Sequence, residues 1–87
     1  MLFPPGQIVA TPGALELTEQ GVFLDTYLKR HLRGDWGDLG EEDKAENEFS
    51  LNAGYRLLSA YTTPAGRLWI ITEADRSVTT LLTPDEY

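Results

Sequence analysis

The chain has no cysteine, one histidine and one methionine among its 87 residues, and only seven basic side chains against 14 acidic ones. Without cysteine there is no disulfide framework, no zinc–thiolate site and no thiol nucleophile. A single histidine leaves a transition-metal site short of ligands. Lys and Arg supply much of the affinity for a phosphate backbone by releasing condensed counterions, so their scarcity disfavours direct nucleic-acid binding. No run approaches the roughly 20 apolar residues of a membrane span. The Met1–Ala10 stretch holds two prolines and lacks a basic start, so it does not read as a signal peptide. These absences lead to the expectation of a cytoplasmic protein with no membrane association, no cofactor and no metal.

What is present is enough hydrophobic content, 41%, for one small core. A chain this short buries only about 60% of its unfolded surface, which argues for a single domain over residues 1–87. The formal charge of −7 is unevenly spread. Asp35, Asp38, Glu41, Glu42, Asp43, Glu46 and Glu48 all fall between Gly34 and Glu48, opposed there only by Lys44, so this segment alone carries 1 − 7 = −6.

Residues 1–17 read as an irregular N-terminal segment with a candidate short strand at Gln7–Ala10, ended by a Pro12-Gly13 turn. From Thr18, a candidate N-cap, Leu24, Leu28 and Leu32 recur at helical spacing, and Gly34 closes that helix. A second helix is expected over Glu41–Ala53, with Ala45, Phe49 and Ala53 as its narrow apolar stripe and Gly54 as its stop. Tyr55–Thr62, Arg67–Thr72 and Ser77–Leu82 are β-rich and separated by turn residues, which predicts a meander. Leu68, Ile70 and Thr72 should share one face of the middle strand, with Trp69 and Ile71 on the other. The fold expected is α+β: two helices on a three- to four-stranded antiparallel meander, in the order β-α-α-β-β-β.

His31 is the only side chain whose ordinary pKa lies near neutrality. With Arg33, Glu73 and Arg76 it could supply the base, acid and cation that RNA cleavage by its own 2′-hydroxyl requires. A lone histidine among helix-end cations is more often a partner of the helix dipole, and no catalytic set is favoured. A twelve-residue window from Asp35 to Glu46 echoes a calcium loop, but Gly37 and Leu39 stand where ligands are needed. Ser77, Thr79 and Thr80 could meet a phosphate, yet on a strand they read better as its solvent-facing half. Trp69, between Leu68 and Ile70, reads as core. Trp36, in a loop of three glycines, reads as a contact residue. A charge run is usually a solvated face, and the sharper alternative is a row of carboxylates that imitates nucleic-acid phosphates or inhibits a basic protein; Asp35, Trp36, Asp38, Glu42 and Glu46 are the candidate partner-binding set toward such a protein.

The segments Arg30-His31-Leu32-Arg33-Gly34-Asp35-Trp36-Gly37-Asp38-Leu39 and Trp69-Ile70-Ile71-Thr72-Glu73-Ala74-Asp75-Arg76-Ser77-Val78-Thr79-Thr80 resemble those of small bacterial proteins labelled plasmid-related, carried on plasmids and conjugative elements. The resemblance spans Tyr27–Tyr87 and implies a bacterial, mobile-element setting without an activity. In strand and helix order alone the chain is also similar to RelE-like RNase toxins, which are usually basic. The expectation is a non-enzymatic accessory protein that binds a basic partner. A RelE-like endoribonuclease or toxin is the alternative, and the oligomeric state stays open.

Overall fold

In the computed structural model, which describes Met1–Tyr87, the β-rich last third forms β2 (Leu57–Thr63), β3 (Gly66–Thr72) and β4 (Val78–Leu82). These pair antiparallel, and β3 lies between its neighbours with Leu57 opposite Thr72 and Ile70 opposite Leu81. Leu68, Ile70 and Thr72 share the fully buried face, as their alternation predicts, joined there by Leu57, Ser59, Tyr61, Thr79 and Leu81. Trp69 on the opposite face is half-buried, its ring set edge-on to Tyr87 at 5.5 Å.

The N-terminal third departs from expectation. A fourth strand, β1 (Gln7–Ala10), joins β4 in parallel, so the sheet is mixed, with order β1-β4-β3-β2. Its entry requires Gly6: the residue sits at φ 65°, and a Cβ there would lie 2.3 Å from the Ser77 carbonyl oxygen. Pro12-Gly13 then begins a helix, α1 (Pro12–Glu19), instead of ending a segment. Proline is well suited to a first helical position, where its missing N–H would have no partner, and Thr11 caps the turn by accepting from Ala14 N–H. Residues 1–17 are thus ordered structure, and the helices number three, not two. Thr18 lies inside α1 and does not cap the next helix. That helix, α2 (Leu24–Leu32), begins after Phe23 without a side-chain cap. The chain's last turn, Pro84–Glu86, folds back so that the Glu86 carboxylate accepts from Gly13 N–H and the Thr11 and Thr83 hydroxyls.

Two apolar clusters hold these parts together. In one, Ala14, Leu17 and Val22 pack on Tyr61, Leu68, Ile70 and Leu81, with Leu24 and Leu28 of the predicted stripe at its margin. In the other, Phe3, Trp36 and Leu57 meet Leu32, Leu39 and Leu51.

The third helix, α3 (Glu41–Ala53), has the predicted bounds, and Gly54 ends it in the left-handed region at φ 79°. Its orientation is reversed: Asn47 and Ser50 are buried, while Ala45, Phe49 and Ala53 face outward. The cause is what α3 packs against. It lies along the outer edge of β2, where the groups needing cover are peptide N–H and C=O, and an amide side chain serves them better than an apolar one. Asn47 donates to the Leu58 carbonyl at 2.6 Å and accepts from the Leu58 N–H at 3.1 Å. No helix is long and apolar enough to cross a membrane.

Candidate interaction surface

His31 is fully buried under the sheet, and both ring nitrogens are occupied. Nδ1 lies 2.6 Å from the Ser59 hydroxyl and Nε2 lies 2.9 Å from that of Thr72. The hydrogen-bond chain fixes the tautomer. Thr79 gives its one hydroxyl proton to the Pro5 carbonyl at 2.7 Å, so at the Thr72–Thr79 contact, also 2.7 Å, Thr72 must donate. Thr72 then accepts from Nε2–H, and Nδ1 accepts from Ser59. Burial pushes the His31 pKa down to about 4, holding the ring neutral at physiological pH. Phe3 and Trp36 close over it edge-on, with ring centroids at 5.3 and 5.8 Å.

The residues that sequence spacing could group with His31 are engaged elsewhere. Glu73 pairs with Arg56 at 3.1 Å. The guanidinium of Arg76 donates to the carbonyls of Ser50, Tyr55, Glu73 and Ala74, tying the end of α3 to the β3–β4 turn, and lies over the Phe3 ring. Arg33 is exposed beyond the end of α2. None of these three side chains hydrogen-bonds to His31, whose partners are Ser59 and Thr72. Thr79 is also misread by alternation alone, since it points into the core with Thr72 and not to solvent.

The acidic segment divides into two sets. Asp35, Asp38 and Glu48 serve the fold. Arg30 bonds Asp35 at 2.7 Å and holds its carboxyl below the usual range. The Thr62 hydroxyl and N–H donate to Asp38 at 2.8 and 2.9 Å, lowering its pKa as well. Glu48 accepts from the Trp36 indole N–H at 2.7 Å. Trp36 itself is only 4% exposed, so it is a wedge beneath the loop and offers no surface to a partner. Its sequence setting concealed this, because Gly37, at φ 79°, lets the loop approach β2 so closely that a Cβ would lie 2.1 Å from the Ala60 carbonyl oxygen.

In the second set Glu42, Asp43 and Glu46 have no ion-pair partner, while Glu41 lies 4.0 Å from the Lys44 ammonium. Glu42 and Glu46 are exposed on the outward side of α3, where the spacing Glu42, Ala45, Glu46, Phe49, Ala53 repeats at three and four residues and so forms one continuous face. Glu41 and Asp43 flank it, also exposed. At its C-terminal end Phe49 and Tyr55, 59% and 58% exposed, stack on each other with ring centroids 6.0 Å apart. Sequence reasoning missed this aromatic pair because it assigned Phe49 to the core. The available signal was Leu51, a large apolar residue of α3 outside that stripe, which packs with Phe3, Trp36 and Leu57. Two carboxylates, two alanines and a stacked aromatic pair can take a cationic segment, with the alanines permitting close approach. No cluster of His, Asp or Glu is arranged to hold a metal ion.

No family model, no curated protein and no solved structure matches this chain.

Proposed function

We propose that the protein is a non-enzymatic interaction module that binds a basic partner through the outward face of α3. The observation carrying this reading is that α3 turns Ala45, Phe49 and Ala53 to solvent beside the exposed carboxylates of Glu42 and Glu46, while Asn47, Ser50 and Leu51 face inward. Helices in small domains ordinarily do the reverse. Phe49 and Tyr55 serve as anchors, and Glu42 and Glu46 select cationic chemistry and steer the encounter. In the mobile-element setting suggested by the resemblance, the fitting partner is a basic nucleic-acid-binding protein whose groove receives the carboxylates in place of phosphates.

The test is affinity capture from a bacterial host, comparing the wild type with a Glu42→Lys/Glu46→Lys double variant and with Phe49→Ala. Recovered basic proteins should be lost on charge reversal and reduced by removal of the ring. An unchanged set of partners in the double variant overturns the reading.

A further inference from the structure

The open edge of the sheet carries an inference independent of α3. Gln7 and Thr11 donate their N–H groups to Ser77 and Leu81 of the β4 side, at 2.9 and 3.0 Å. Backbone groups alternate in direction along a strand, so the N–H and C=O of Ile8 and Ala10 point away from β4. No other element of the chain bonds to them. Beside this edge, Ile8 and Val9 are 50% and 38% exposed. Met1, Leu2 and Leu15 are exposed as well, so five of the nine exposed large hydrophobic residues fall in the first fifteen positions. That same stretch, Met1–Leu15, has no charged side chain, although the whole chain has 21.

We propose that β1 pairs antiparallel with β1 of a second copy of this chain, joining two four-stranded sheets into one across a twofold axis. Three observations select a second copy as the occupant. First, molecules of charge −7 repel each other, and Met1–Leu15 brings no charged side chain of its own, with only the Glu86 carboxylate seated on its Thr11–Gly13 end, so two copies meet there at low electrostatic cost. Second, the open edge is self-complementary. With Val9 facing Val9 of the partner at the axis, Ile8 of each chain stands opposite Ala10 of the other, and the two pairs exchange four N–H···O bonds. Pro12 has no N–H, so pairing cannot usefully extend past that end. Third, β2 is sealed along its outer edge, so a copy has no β2 edge to accept β1. Pairing must join like edges, which closes a dimer and does not propagate a filament.

The interface is small, at the low end for specific pairing, so dissociation is expected on the order of tens to hundreds of micromolar. Sedimentation of the full chain over rising concentration should show the mass moving from 9.7 kDa toward twice that value. Val9→Lys, which sets two ammonium groups opposite each other at the axis, should remain a monomer with an unchanged circular dichroism spectrum. The Glu42→Lys/Glu46→Lys variant should dimerise at least as well as the wild type, which separates this surface from the α3 face. Amide hydrogen exchange of the unmodified chain removes any dependence on a variant that folds poorly: the Ile8 and Ala10 amides should be protected only at high concentration. A wild type that stays monomeric to about 1 mM, or Ile8 and Ala10 amides whose exchange ignores concentration, overturns the proposal. So does a folded Val9→Lys protein that dimerises like the wild type.

Discussion

Along β2 the outward N–H groups of Leu58, Ala60 and Thr62 all reach partners: the Asn47 side chain, the Trp36 carbonyl and the Asp38 carboxylate. The Leu58 and Ala60 carbonyls are also satisfied, by Asn47 and by the Asp38 N–H. Along β1, at the other end of the same sheet, the outward groups of Ile8 and Ala10 bond to nothing in the chain. Natural sheets blunt an exposed edge with charge, proline or a cover. This chain covers one edge with the whole loop and helix between Gly34 and Ala53, and leaves the other short, proline-flanked and uncharged. Three of the seven acids in that segment therefore have a structural explanation. Asp35, Asp38 and Glu48 are spent on positioning that cover, and the concentration of charge seen in the sequence overstates the free acidic surface.

The strongest way to break the contrast is to remove the wedge that seals β2. Trp36→Ala empties the space beneath the loop, leaves Glu48 without its donor and uncovers His31. Truncating a buried tryptophan typically costs about 3–5 kcal/mol. Urea unfolding should show a loss of that size, with faster amide exchange at Ala60 and Thr62. A loss below about 1 kcal/mol would mean that the loop, and not the ring, seals the edge.

That role for Trp36 was not legible in the sequence, and the reason is physical. The meander is local: alternation and the Thr63–Gly66 and Glu73–Arg76 turns specify it within about 30 residues, so strands and faces could be read directly. The pairing of β1 with β4 joins residues about 70 positions apart, and no periodic signal records it. Pro12-Gly13 carries the same composition as a turn and as a helix start. Only the Thr11 hydroxyl, free to accept from Ala14, separates the two. In α3 the bounds followed from propensity and capping, but the direction it faces depended on its neighbour being a strand edge. Hydrophobicity alone put Phe49 inside and missed Asn47.

The second effect acts on the open side, because the hydrogen-bond chain from His31 through Thr72 and Thr79 ends on Pro5, just ahead of β1. His31 has a folded pKa of about 4 against an ordinary 6.5. Between those values the unfolded chain binds a proton that the native protein excludes, so stability is complete above pH 6.5 and falls as pH decreases toward 4. The full loss is about 3 kcal/mol, at roughly 1.4 kcal/mol for each pKa unit. Glu86, held down to about 2 by the Thr11 hydroxyl and the Thr83 N–H, loses its contribution only at lower pH, as the unfolded chain takes up its proton below 4.5 and the native one only near 2. Chemical denaturation from pH 7 to 4.5 therefore isolates the histidine. His31→Gln, which keeps a donor and an acceptor but cannot titrate, should flatten the dependence. An unchanged slope would assign it to another group.

The smallest effects sharpen the contrast most, because they apply comparable changes to the two edges. Asn47→Leu removes both side-chain bonds to Leu58 and leaves a half-buried N–H and C=O without partners, at a cost of about 2 kcal/mol. Val9→Lys at the open edge, measured in dilute protein, touches no side-chain hydrogen bond and should stay within about 0.5 kcal/mol of the wild type. A backbone edge that is closed by side chains stores stability in them, whereas one left open stores almost none until a partner arrives. Equal losses in the two variants would mean that the β1 edge already contributes to the monomer. A loss confined to Asn47→Leu would mark β2 as the edge committed to the fold and β1 as the edge held available.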